Sequence, residues 1–156
     1  MRSWARWLFV SAAVIAFDQF SKHWIGAALP LGREVAVAPF FNLVLIHNTG
    51  AAFSLLSSAA GWQRLLFSGI AILAAIVILH LLRKYPGNLC FSLALSLILG
   101  GALGNLIDRA RLGYVIDFLD FYWRGYHWPA FNVADAAITV GAILLIWDSF
   151  KRPTAK

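Results

Sequence analysis

One cysteine in the whole chain excludes a disulfide framework and a thiolate metal cluster. Cys90 lies inside an apolar run and reads as a small apolar residue facing lipid or a neighbouring helix. Charge is almost as scarce. Only 13% of residues are charged and seven are acidic, against about 25% charged in a soluble domain. With 61% hydrophobic residues and a mean hydropathy of +0.75, the chain is solvated by lipid. The net charge of +6 does not point to nucleic acid. Lys and Arg sit mainly at the ends of apolar runs, where anionic lipid headgroups are the simpler partner. Also missing are an internal repeat, a low-complexity tract and a linker, so a single domain over 1–156 is expected.

What is present is four apolar stretches. A spanning helix needs about 20 mostly apolar residues, and candidates run over 7–25, 65–82, 89–107 and 133–150. The fourth is the weakest, with an uninterrupted apolar part only over 136–147. The first could be a cleaved leader, since Arg2 and Arg6 precede it and Ala27-Ala28 offers small residues. Asp18, Gln19 and Lys22 interrupt any such apolar region, so a retained helix fits better. Arg2, Arg6, Arg83, Lys84, Lys151, Arg152 and Lys156 crowd the short flanks, whereas the long connections 26–64 and 108–132 are sparse in basic residues. This asymmetry places both termini in the cytoplasm and the long connections outside. Tryptophans 4, 7 and 147 then fall at the inner interface, and 24, 62, 123 and 128 at the outer one.

The outer connections are not polar linkers. Residues 35–47 are β-prone, Pro39 marks an edge or bend, and Asn48-Thr49-Gly50 reads as a turn. The expected fold is a mainly α membrane protein, with four transmembrane helices, a small extracytoplasmic sheet and a short amphipathic helix near 51–62.

Few polar groups remain to carry chemistry. Asp117 in VIDF and Asp135 in NVAD each lie beside apolar stretches, and an ionised group at a helix centre in a bilayer costs roughly 2.5–3.5 kcal/mol on insertion scales. Asn105, Asp108 and Arg109 share one face at the outer end of the third span, and Asp108 wants Arg109 or Arg111 as its partner. Asp18 and Lys22, four apart, are either a self-neutralising pair that snorkels to the interface or a support for a nearby site. Gly100, Gly101 and Gly104 read first as a surface for close helix packing. Asn132-Val-Ala-Asp135 reads as a capping box at a helix start, a role compatible with catalysis. Asp120, on the opposite side of an extended segment from Asp117, reads as structural.

His23, His47, His80 and His127 form no ligand spacing, no Ser lies in a Gly-x-Ser-x-Gly elbow, and Ser54 has only Lys22 as an outer-side lysine. Asp117 and Asp135 on one membrane face are left. Two close carboxylates share a proton, which allows the charged one to take a proton from water while the neutral one polarises a carbonyl and then protonates the leaving amine, with no metal or cofactor. The positive end of a helix dipole at that start favours the charged form of Asp135, which points to Asp117 as the neutral partner. A proton- or ion-coupled transporter is the rival of another class. Its acids should cross the bilayer rather than cluster at one face, and no inverted repeat is visible.

The segments FDQFSK (17–22), HNTGAAFS (47–54), GGALGNLIDR (100–109), VIDF (115–118) and PAFNVADAAI (129–138) stand in the order found in the lipoprotein signal peptidase (signal peptidase II) family. The chain resembles that family over nearly its whole length. The resemblance implies an aspartic endopeptidase of the bacterial inner membrane. It cuts the signal peptide from diacylglyceryl-modified prolipoproteins on the N-terminal side of the lipidated cysteine. It also implies an outer β-cradle, a catalytic pair at Asp117 and Asp135, orienting residues Asn48, Asn105, Arg109 and Asn132, and supporting residues Asp18, Lys22, Gly101 and Asp108. Membrane lipids are the surroundings, globomycin-type cyclic peptides the expected inhibitors, and a monomer the expected state.

Overall fold

The structure, a computed structural model, describes residues 4–50 and 62–151. The amphipathic helix expected near 51–62, and Ser54 with it, lies outside the described residues except for Trp62. In chain order the elements are α1 (Arg6–Ala28), β1 (Glu34–Ala38), β2 (Phe41–Asn48), α2 (Trp62–Lys84), α3 (Leu89–Arg111), β3 (Val115–Trp123), β4 (Tyr126–His127) and α4 (Val133–Lys151).

The four helices coincide with the four apolar stretches, each extending one to four residues further at most ends. Among the described residues, α2, α3 and α4 are long and apolar enough to cross a membrane by length and composition. Although α1 is also 23 residues long, Asp18, Gln19, Lys22 and His23 dilute it, so the first expected span does not meet that criterion. The centre of the bundle is α3. Its apolar window is 56% buried, against 17% for α2 and 22% for α4, so those two turn most of their Leu, Ile and Val side chains outward. Ile78 and Leu82 of α2 pack on Leu95 and Leu99 of α3, with Trp7 and Leu8 of α1 and Leu145 of α4 around them. At the same end Asn88 caps α3 by accepting from the Phe91 N–H at 3.0 Å, while its amide donates to both oxygens of the buried Asp148 of α4.

Close approach of α1 and α4 to α3 depends on the absence of side chains. A Cβ on Gly100 would stand 2.7 Å from that of Val14 in α1, one on Gly101 would collide with the Ala134 carbonyl of α4, and one on Gly104 would come 2.7 Å from Asp18 Oδ2. Gly101 is thus a packing residue. Gly104→Ala is expected to destabilise by about 1–3 kcal/mol, read as a lower thermal midpoint in detergent, because Asp18 is held on both its oxygens and cannot step aside.

The sheet sits where α1 and α3 end and α4 begins, joined to them by Ile25, Leu45 and Phe118 with Ile116, Leu119 and Val133 packed around. Its order is β1-β2-β3-β4, all antiparallel. The β-prone 35–47 segment forms the β1–β2 hairpin around Pro39. Asn48 ends β2, and its Oδ1 accepts the Gly50 N–H at 2.9 Å, the turn expected there. In β3 the N–H groups of Phe118 and Leu119 both donate to the Phe131 carbonyl, at 3.0 and 2.8 Å. Two successive residues facing one partner make a β-bulge, which shifts the alternation by one residue. Asp117 and Asp120 therefore face one cavity, and the expectation that they oppose each other is corrected.

Candidate active site

Asp117 comes from β3 and Asp135 from the first turn of α4, and both line one cavity of about 500 Å³. The α4 start is a reciprocal capping box. Asn132 Oδ1 accepts the Asp135 N–H at 2.9 Å, and Asp135 Oδ2 accepts the Asn132 N–H at 3.3 Å. With its oxygen occupied, the Asn132 amide must donate elsewhere, and it donates to Asp117 Oδ1 at 2.7 Å. One residue thus caps the helix and ties the two carboxylates together.

The other two asparagines are aimed by the same logic. Asn48 Oδ1 is held by the Gly50 N–H, so its amide donates to Asp117 Oδ2 at 2.8 Å. Asn105 Oδ1 accepts from Lys22 Nζ at 2.9 Å, so its amide donates to Asp135 Oδ1 at 2.8 Å. All three side-chain amides therefore point a donor at a carboxylate oxygen. Burial nevertheless pushes Asp117 up to about 7, with the neighbouring Asp135 charge adding to the shift and the Asn48 and Asn132 amides opposing it.

Behind Asn105 lies a second, fully buried tier. Lys22 Nζ stands 2.8 Å from Asp18 Oδ2 and 2.9 Å from Asp108 Oδ2. Asp18 Oδ1 accepts the Ala134 N–H of α4 at 2.9 Å, and Asp108 accepts the Ile116 N–H of β3 at 3.2 Å. Gln19 bridges the two carboxylates at 3.2 and 2.8 Å. The Asp18–Lys22 pair is therefore buried behind Asn105 and does not snorkel. The partner expected for Asp108, Arg109 or Arg111, is corrected to Lys22, which reaches it from another helix. Arg109 lines the main cavity, donates to the Asn105 carbonyl at 3.4 Å and lies over the Phe67 ring.

All ten residues singled out from the sequence gather at this end of the bundle. The sequence reading missed Gln19, Glu34 and Asn42, and left Asp120 and His127 outside the site. Asn42 is a neutral amide inside β-prone text and nothing local marks it, whereas Gln19 showed only as a polar interruption of the first apolar stretch. Among the described residues no three His, Cys, Asp or Glu side chains come together to hold a metal ion.

Long apolar helices with a linked carboxylate pair at their sheet end define a membrane protein with an acid-pair site. The family described as "Signal peptidase (SPase) II" matches residues 10–151. A protein named "Lipoprotein signal peptidase" from Burkholderia vietnamiensis is 56% identical over 148 residues, 95% of this chain and 89% of that one. Another of the same name, from Paraburkholderia phytofirmans, is 53% identical over 150 residues, 96% and 87% of the two chains. A solved structure described as "Bacterial membrane enzyme structure by the in meso method at 2.3 A resolution" superposes with a TM-score of 0.86 at 35% identity, over 97% of this chain and 92% of that one. The chain belongs to the signal peptidase II family.

Proposed function

We propose that the protein is an aspartic endopeptidase of the bacterial inner membrane that cuts the signal peptide from diacylglyceryl-modified prolipoproteins, just before the lipidated cysteine. The observation that carries this reading is the linkage of Asp117 and Asp135 through Asn132 at the polar end of a cavity whose other end is lined by Ile138 and Val140 of α4. An apolar signal helix and acyl chains can reach such a site from the lipid side.

In the proposed reaction Asp117 holds the shared proton and Asp135 is ionised. Asp135 takes a proton from water as the oxygen attacks the peptide carbonyl carbon, and Asp117 gives its proton to the carbonyl oxygen. On collapse the C–N bond breaks, Asp135 passes its proton to the leaving amine, and Asp117 recovers one from the diol. The amides of Asn48, Asn105 and Asn132 keep the two carboxylates in place, and Arg109 at the cavity wall is placed to bind substrate carbonyl or ester oxygens.

The whole chain acts as one domain and, in this reading, as a monomer. It crosses the membrane four times with both termini cytoplasmic. The polar residues of α1 do not prevent its spanning, because Asp18 and Lys22 are 0% and 2% exposed and never meet lipid. The sheet and the acid pair lie at the outer leaflet, and globomycin-type cyclic peptides occupy the same cavity.

The test is cleavage of a diacylglyceryl-modified precursor by purified protein in the presence of a strong chelator. The product's new N-terminus is identified by mass spectrometry. Cleavage before the lipidated cysteine is expected. Because the proposed acid, Asp117, is raised to about 7 in the free protein, kcat/KM is expected to fall as pH rises through that value, by roughly tenfold per unit beyond it. A rate that keeps rising above pH 8, or loss of activity on chelation, overturns the proposed mechanism.

A further inference from the structure

Two cavities meet at Asp117. The apolar one runs along α4. The other, about 490 Å³, lies over the sheet, and the two share Asn48, Asp117 and the 128–130 rim. The second cavity is acidic. Glu34 of β1 and Asp120 of β3 line it together with His47 and His127, and no Lys or Arg does among the described residues. One amide holds both acids on this side of the sheet. Asn42 Nδ2 donates to Glu34 Oε1 at 2.7 Å and to Asp120 Oδ2 at 2.9 Å. His127 Nδ1 lies 2.9 Å from Asp120 Oδ2. Asp120 is 5% exposed, whereas Glu34 is open to the cavity and to solvent. The bulge at Phe118–Leu119 is what places Asp120 beside Asp117 in this cavity.

A substrate cut at Asp117 has two unlike halves. Its signal helix and acyl chains are apolar and match the cavity along α4. The polypeptide beyond the cut is water-soluble and needs the polar side. We propose that the second cavity is the subsite for the polypeptide on the C-terminal side of the cleaved bond, and that Glu34 and Asp120 make it select against acidic residues there. This rests on the reading of Asp117 and Asp135 as the hydrolytic pair. A carboxylate brought into this cavity meets the like charges of Glu34 and Asp120, with His127 against Asp120 but no Lys or Arg among the described lining residues to offset Glu34, whereas a lysine meets opposite ones.

The test uses two lipidated precursors, identical except for Lys-Lys or Asp-Asp immediately after the lipidated cysteine, cleaved in neutral detergent. The wild-type enzyme is expected to prefer the lysine precursor by about fivefold in kcat/KM, the size of one exposed charge pair. Glu34→Gln is expected to compress this ratio by raising kcat/KM on the Asp-Asp precursor. A misfolded fraction lowers both rates equally and cancels in the ratio. Raising the ionic strength compresses the wild-type ratio in the same direction, with no variant needed. Equal kcat/KM on the two precursors, or a ratio indifferent to both Glu34→Gln and salt, overturns the subsite while leaving the hydrolytic pair intact. Failure to cleave either precursor overturns the pair and the subsite with it.

Discussion

Asp117→Asn and Asp135→Asn are each expected to lower the cleavage rate of a lipidated precursor by at least about 10³-fold while the protein stays folded. Each change removes an ionisable oxygen and little else. Asn at 117 still accepts from one of the two amides that reach it, and Asn at 135 can still close the capping box with Asn132. The two aspartates act as one unit, so the double variant is expected to be no slower than either single one. Stability separates the two changes. Asp117 is raised from 3.8 to about 7 by burial, so between those values the folded state holds a proton that the unfolded state has released. The stability this contributes is fully present below the unfolded value and is lost as pH rises through about 7, in all about 4 kcal/mol. Asp117→Asn removes that loss at the cost of about 1 kcal/mol for one amide hydrogen bond. Thermal unfolding in detergent at pH 8 is then expected to show Asp117→Asn no less stable than wild type, with a flatter dependence between pH 4 and 7. Cleavage at more than a hundredth of the wild-type rate in either variant sinks the acid pair.

How far the sequence carried depended on whether a feature was local. The helices follow from continuous apolar text, and their ends came out within a few residues. The capping box at Asn132 and Asp135 is written within four residues and appears as read. The hairpin around Pro39 and the turn at Asn48–Gly50 are equally local. What went astray depends on partners far along the chain. Asp108 binds Lys22 from 86 positions away, and the helix-face reasoning that offered Arg109 or Arg111 has no means of seeing across helices. The side of the sheet taken by Asp120 turns on a bulge at Phe118–Leu119, whose N–H groups share the Phe131 carbonyl and which strict alternation along 115–121 cannot contain. For α1 the sequence read a span, yet its polar residues hold it below the apolar content of the other three. Where Asp18 and Lys22 lie, between helices or against lipid, is a tertiary fact. The resemblance of five motif segments supplied a substrate class that no period or spacing in the chain contains.

Lys22→Met gives the second large effect, and its size separates two readings of the same i,i+4 pair. If Asp18 and Lys22 were a solvated pair on a helix surface, losing it would cost about 0.3–0.5 kcal/mol. Here Lys22 is 2% exposed and its ammonium is shared by Asp18, Asp108 and Asn105 at 2.8–2.9 Å. Methionine fills the same space but strands two buried carboxylates without a cation, for which a loss of about 3–5 kcal/mol is expected. In detergent this reads as a thermal midpoint lowered far beyond that of an exposed charge variant such as Arg33→Gln. A midpoint indistinguishable from that control sinks the buried tier. Cleavage falls for a separate reason. Without the ammonium, Asn105 Oδ1 loses the donor that fixes its amide, and the amide no longer has to face Asp135. The two consequences part in the double variant Lys22→Met with Asp108→Asn. Neutralising one stranded carboxylate restores part of the midpoint, whereas kcat stays low, because the new amide at 108 does not replace an ammonium that reached Asn105 and both acids from α1.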